Sequence, residues 1–149
     1  VKSARLAQTF GAGVLQEDNR VYAQFARSAM KKENLVLRTD GSSEGNYCYT
    51  RDVIRALLLL GYSGKVGEAY NVVNEKSHMT IREMAELVAN DVSKGEIKVE
   101  FDIPDEAKSL GYAPKVKMHL SSEKLNKLGW KAEVDMKEAY LRMMNDMEA

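Results

Sequence analysis

Neither sign of charge dominates this sequence. Lys and Arg together number 22 across 149 residues, matched by 22 Asp and Glu, and no long run of one sign occurs. Nucleic-acid binders carry a basic excess on some face, so that class loses ground. Long apolar stretches are missing as well: the longest run, ALLLL at 56–60, falls far below the ~18 residues of a membrane span. No signal-peptide pattern opens the sequence. Cys48 is the only cysteine, which excludes an internal disulfide and points to a reducing, cytoplasmic compartment. Its place in YCYT, on an expected strand, suits a buried small residue better than a nucleophile.

Histidine is equally scarce. His78 falls in an expected polar turn and His119 at an expected strand end. Neither stands near a cysteine or acid at metal-ligand spacing, so solvated or structural roles are expected for both. Carboxylates occur singly, mostly beside lysines, as on a solvated helix face. No catalytic triad can be assembled from these residues. The sequence also lacks an initiator Met and opens as VKSARLAQTFG, directly in an expected strand. Domains usually begin with a polar lead-in, so the expectation is a cut inside a longer protein.

What is present includes one suggestive pattern, GYSGKVG at 61–67. Its G-x-x-G-x-x-G spacing approaches a dinucleotide-binding fingerprint. That fingerprint requires a strand running in and a helix running out, with the helix N–H groups aimed at the phosphate. Here the order is reversed. TRDVIRALLLL upstream carries Val53, Ile54, Leu57, Leu58 and Leu60 at helical spacing, and EAYNVV downstream is β-rich. Gly61 is therefore expected to cap a helix, with Gly64 and Gly67 turning the chain into a strand.

Strands and helices alternate along the chain, which predicts an α/β fold. A strand over 1–8 precedes a Gly-rich turn at 11–14. A helix over 18–32 follows, capped by Asp18 or Asn19, with Val21, Phe25 and Ala29 on one face. NLVLR and YCY are short strands separated by a loop at 41–46. A helix then runs from about Thr50 to Leu60, and AYNVV forms a strand. Thr80 and Glu83 stand at capping-box spacing before a helix bearing Ile81, Met84, Ala85 and Val88. EIKVEF at 96–101 alternates as a half-exposed strand does. SSEKLNKLGW makes a short helix stopped by Gly129. A closing helix places Met136, Tyr140, Met143, Met144 and Met147 on a soft packing stripe.

Four phrases in order, ARLAQTFGAGV, NYCYTRDVIRALLLL, GEAYNVVNEKSHMTIREMAELV and EKLNKLGWKAEVDMKEAY, carry a resemblance. Together the sequence resembles the extended short-chain dehydrogenase/reductase family of NAD-dependent nucleotide-sugar epimerases, dehydratases and decarboxylases. The resemblance implies that residues 1–149 are the C-terminal, substrate-binding portion of such an enzyme: mixed short strands and helices, with Val1–Gln8 the last part of the Rossmann-side sheet. The Rossmann half would be absent, and with it the glycine loop and the Tyr-x-x-x-Lys pair. None of the seven tyrosines has a lysine four residues on. Family members oxidise a sugar carbon by hydride transfer to the nicotinamide, with the Tyr as base. The implied partners are a nucleotide-diphosphate sugar and, for the parent protein, a second copy in a homodimer, without nucleic acid or membrane. NAD or NADP would serve the full-length protein, and this portion alone would bind neither and be inactive.

The resemblance also assigns residues. Gln8 stands where the family has an Asn that meets the sugar-diphosphate. Val36 and Leu37 match the strand against the nucleotide base, with Arg38 in place of an aromatic and able to stack on a base. Asn71 matches an Asn near the nucleotide, though a strand-end amide bonding backbone fits it equally. Arg20 and Lys115 are candidate phosphate contacts or plain surface cations. Gly45 departs from the pattern: the family places there an Arg whose fork grips the diphosphate. Arg38 or Arg20 is expected to substitute, with Gly45→Arg neutral or restorative. The alternative is a non-catalytic scaffold or binding protein.

Overall fold

In a computed structural model that describes residues 1–105 and 115–148, the expected alternation forms an α/β fold of small sheets and covering helices. Strand β1 (Ser3–Leu6) pairs in parallel with β5 (Ala69–Val72). β2 (Gln8–Phe10) lies parallel to β4 (Glu44–Tyr49), which is antiparallel to β6 (Asn74–Thr80). β3 (Leu35–Leu37) is parallel to β7 (Val99–Phe101). The helices are α1 (Val21–Met30), α2 (Thr50–Ser63), α3 (Ile81–Leu87), α4 (Glu123–Asn126) and α5 (Met136–Glu148), with a π-helical turn at Val88–Val92 continuing α3.

β4 is the organising strand. Successive side chains of a strand point to opposite faces, so Tyr47 and Tyr49 enter one core while Cys48 enters another. The larger core gathers Phe10, Tyr22, Phe25, Leu35, Leu37, Met84, Val88, Tyr140 and Met143. Phe10 stacks on Tyr22 at 4.9 Å between ring centroids, and meets Tyr140 at 5.5 Å. The smaller core holds Val53, Ala56, Leu60, Tyr70, Val72, Leu125 and Trp130. Trp130 is buried, as an indole beside a helix end gains on the order of 2–3 kcal/mol by packing. Met136, Tyr140 and Met143 are buried and Met144 and Met147 partly so, which makes the methionine stripe of α5 a packing face.

Several sequence expectations needed revision. The strand expected over 1–8 breaks at Ala7 and its two parts join different sheets, because β1 pairs with β5 and β2 with β4. The loop expected at 41–46 yields its second half to β4, where Glu44, Gly45 and Asn46 pair with Thr80, Met79 and His78. NEKSHMT is strand β6 and no turn, since the antiparallel ladder with β4 supplies hydrogen bonds that its polar sequence does not advertise. α2 runs through Gly61 to Ser63 and is capped at Gly64, whose N–H donates to Leu60 O at 3.0 Å. α1 is shorter than 18–32. Its N-cap is Arg20, and Asp18 serves instead by accepting the Arg20 N–H at 2.9 Å. Val21, placed on its apolar face, is exposed, while Phe25 and Ala29 are buried. His119 lies outside any strand.

The capping box at α3 is present in full: Thr80 Oγ1 accepts from the Glu83 N–H at 3.1 Å, and Glu83 Oε2 accepts from the Thr80 N–H at 2.7 Å. The segment 61–67 leaves a helix and enters β5, with Gly67 at φ +85°. That is the reverse of a dinucleotide loop.

Candidate functional site

The residues singled out by the sequence lie on β2, β3, β5, the start of α1 and the segment following residue 114. β3 alternates its side chains across the sheet, so Val36 is exposed and Leu37 sits in the larger core. Leu37 O accepts from the Asp102 N–H at 2.9 Å, and one residue on Arg38 forms an ion pair with the Asp102 carboxylate. In the turn after β3, Asp40 receives Lys115 Nζ at 2.7 Å and Ser42 Oγ at 2.7 Å. The Lys115 bond and the Ser42 bonds hold the Asp40 carboxyl well below the usual carboxylate range. Arg38 and Lys115 are thus brought to the same end of β3, each already facing an acid.

The other candidates make their contacts elsewhere. Gln8 is exposed on β2 in register with Tyr47. The Arg20 guanidinium is bidentate on Asp18, through Nε at 3.0 Å and Nη2 at 2.5 Å, and lies 4.9 Å from the centre of the Tyr22 ring. That guanidinium bond, with the Arg20 N–H and the Tyr22 hydroxyl at 3.2 Å, pulls the Asp18 carboxyl far down. Asn71 donates its amide to Ser121 O at 3.1 Å, the backbone-bonding role of a strand-end amide.

Gly45 has a local cause. It is buried, and a Cβ built on it would lie 2.8 Å from Tyr47 Oη and 3.0 Å from Cζ. Tyr47 is itself 1% exposed and cannot swing aside cheaply. The glycine makes room for the phenol, so a substituted Arg would have to displace a core side chain. The expectation that Gly45→Arg is neutral is therefore replaced by one of strain.

Sequence reading missed the clasp beside this position. Asn46 is fully buried and bonds one neighbouring segment with both ends of its amide: Nδ2 donates to Met118 O at 2.6 Å, and Oδ1 accepts from the Leu120 N–H at 3.1 Å. Glu44 N–H adds a bond to Val116 O at 2.8 Å. The His78 and His119 rings stack at 4.5 Å with 13° between planes, and His78 Nε2 lies 3.3 Å from Glu44 Oε2. These contacts fasten residues 115–120 along β4. The partners are far apart in the chain and share no motif, so no local signal announces them.

The second feature missed is Asp52, which heads α2 and is 0% exposed. Its Oδ2 accepts from the Glu133 and Val134 N–H groups, both at 3.0 Å, and Oδ1 from Arg55 at 3.2 Å. Its carbonyl accepts the Trp130 indole N–H at 2.9 Å. One residue thereby ties α2 to the segment between α4 and α5.

A nicotinamide dinucleotide needs a strand–glycine–helix unit for its pyrophosphate. The glycines at 61–67 run helix to strand and do not fit that group. Among the described residues no cluster of His, Cys, Asp or Glu is arranged to hold a metal ion. No described helix is long and apolar enough to cross a membrane. Cys48 is buried, and burial pushes its thiol up to about 12, far from a nucleophile's range.

Comparison with known proteins finds one family that these features resemble. Residues 1–73 match the model of the NAD dependent epimerase/dehydratase family. UDP-glucuronic acid decarboxylase 6 of Arabidopsis thaliana is 26% identical over 147 residues, a match covering 98% of this chain and 40% of the plant protein. The structure of RMD from Pseudomonas aeruginosa, complexed with NADPH, superposes with a TM-score of 0.79 at 28% identity, covering 99% of this chain and 48% of that one. UDP-glucose 4-epimerase from Thermotoga maritima shares the fold at a TM-score of 0.80 and 21% identity, over 99% of this chain and 45% of the other. The chain thus spans less than half the length of each of these relatives. With its four phrases in family order and its fold superposed over nearly every residue, the chain is similar to members of the NAD dependent epimerase/dehydratase family.

Proposed function

We propose that this chain is the nucleotide-sugar-binding portion of an NAD(P)-dependent nucleotide-sugar epimerase or dehydratase, whose cofactor loop and catalytic Tyr and Lys belong to an N-terminal half. The observation that carries this reading is the match over 147 residues to a protein named for a UDP-sugar substrate. The surface is in keeping with a further layer. Parallel strands are normally covered on both faces, yet three of the four residues of β1 are exposed. On α2, Ile54, Leu57, Leu58 and Tyr62 form an apolar face that is uncovered, with Tyr62 92% exposed. Such a face suits packing against the cofactor-binding half.

In this reading Gln8 and Asn71 supply amides to the ligand, Val36 offers an apolar wall to the base, and Arg38, Arg20 and Lys115 compete for the diphosphate. A diphosphate must outcompete Asp102, Asp18 or Asp40 for these cations; the Asp102 and Asp40 pairs are exposed and of modest strength, whereas the Asp18 side chain that holds Arg20 is only 10% exposed. The test is calorimetric titration of the longer parent protein with UDP-glucose and UDP-glucuronic acid. Arg→Ala at the residue that replaced the family cation should weaken binding at least about tenfold, the loss of one charge-assisted contact. Unchanged affinity in all three alanine variants would sink the assignment.

One observation favours the second reading, a non-catalytic scaffold or binding protein. Tyr47 fills the space beside Gly45, and the diphosphate-gripping Arg of the family is missing there. A parent sequence lacking Tyr-x-x-x-Lys would decide for the scaffold.

A further inference from the structure

Both histidines of the chain meet at one place, where residues 115–120 run along β4. His78, on β6, stands in register with Asn46 of β4. The His119 ring lies nearly parallel on it, with 4.5 Å between centroids and 13° between planes, within the range of stacked aromatic rings. The Glu44 carboxylate closes the group, with Oε2 3.3 Å from His78 Nε2. The His78 and Glu44 side chains are 27% and 30% exposed, so water screens them only in part. His119 is the outer, exposed ring of the stack.

The other bonds that fasten this segment are between uncharged groups. They run from Asn46 to Met118 O, from the Leu120 N–H to Asn46, and from the Glu44 N–H to Val116 O. The ring stack is different, because each imidazole can take up a proton near neutral pH. Two neutral rings attract by dispersion. A first proton, on His78, is held by the Glu44 carboxylate. A second sets two positive rings 4.5 Å apart. Even at the dielectric constant of bulk water, like charges at that spacing repel enough to shift an equilibrium about fivefold. The neighbouring charges do not relieve this. Lys76 on β6 and Lys117 on the segment are cations two residues before His78 and His119, and Lys115 is paired with Asp40. Glu83, at the head of α3, is engaged by the Thr80 N–H. Among the described residues, Glu44 is the one acid recorded against either ring.

We infer that His78, His119 and Glu44 form a pH-sensitive latch on residues 115–120, fastened while the ring pair carries at most one proton and released when it carries two. The segment it governs includes Lys115, Val116 and Met118. The inference stands independently of the nucleotide-sugar reading, since every group in the latch belongs to this chain.

NMR of the intact chain at pH 5 and pH 7.5 tests it, on either side of the ordinary imidazole titration at about 6.5. Ionic strength is held fixed because salt screens the repulsion. Protection of the Glu44 and Leu120 amides from exchange, corrected for the intrinsic effect of pH, reports local opening. Circular dichroism checks that the rest of the fold persists. Wild-type protection at these two amides is expected to fall at least about fivefold from pH 7.5 to pH 5. His119→Phe keeps a ring in the stack and cannot accept the second proton, so its protection should be the same at both pH values. His119→Gln, which also cannot be charged, should be equally insensitive to pH. Glu44→Gln should be less protected than wild type at pH 5 and match it at pH 7.5. Asn46→Ala should loosen the segment at both pH values and keep the pH response. Wild-type protection that does not change with pH, or histidine variants that respond as wild type does, would overturn the latch. So would loss of the ring-to-ring nuclear Overhauser effects at pH 5 with protection unchanged, because His119 would then have swung aside alone.

Discussion

Removing the Asp52 carboxylate tests whether that residue holds the two ends of this chain together. Asp52→Ala leaves the N–H groups of Glu133 and Val134 without their acceptor. Val134 is buried, so its N–H forfeits a bond that water cannot replace, at about 1–3 kcal/mol. Glu133 is exposed and recovers part of its loss from water. The Arg55 pair, with a guanidinium side chain 37% exposed, adds about 0.2–1 kcal/mol after screening. The expected cost is therefore about 2–4 kcal/mol. Asp52→Asn separates these contributions. An amide oxygen at the Oδ2 position keeps both backbone bonds and gives up only the Arg55 interaction, so it should cost about 0.5–1.5 kcal/mol. Urea unfolding followed by Trp130 fluorescence and by far-ultraviolet circular dichroism measures both. With a slope of about 1–3 kcal/mol/M, Asp52→Ala should lower the midpoint by about 0.7 M or more. An alanine variant within about 1 kcal/mol of wild type, or an asparagine variant as damaging as the alanine, would refute the reasoning.

Other outcomes follow from single contacts. Gly45→Ala should destabilise by about 1–3 kcal/mol, as overpacking does, and Gly45→Arg by at least as much; thermal melts check this, and a wild-type Tm for Gly45→Arg would disprove the Tyr47 clash. Thr80→Ala removes one arm of the capping box and should cost about 1 kcal/mol in the same melts, while Thr80→Ser should be nearly silent. Cys48 should resist a thiol reagent at pH 8 in the native chain and react fully in denaturant. Its thiol, raised from 9.0 to about 12 by burial, keeps its proton in the fold while the unfolded thiol loses it. This contribution to stability is full below about pH 9 and fades as pH rises toward 12. Tyr22, raised by burial to about 12, adds to the same alkaline loss, so urea midpoints should fall between pH 9 and pH 11.

What the sequence by itself determined was local or carried by order. The capping box of Thr80 and Glu83, the methionine stripe of α5, the stop at Gly129 and the reversed context of the glycines at 61–67 each involve residues within a turn or two of one another. The chain's own stereochemistry sets these. The family resemblance was legible for another reason, the order of four phrases along the chain. Tertiary structure alone decided the rest. Asp52 finds its acceptor role 81 and 82 residues away, and Asn46 clasps a segment 72 and 74 residues away. Strand β6 exists because NEKSHMT meets β4, although its polar side chains show no strand pattern. That Gly45 leaves room for the Tyr47 phenol was equally invisible along the chain. A buried polar group must be satisfied by whatever backbone the fold brings within 3 Å, and nothing in the neighbouring sequence records which backbone that will be.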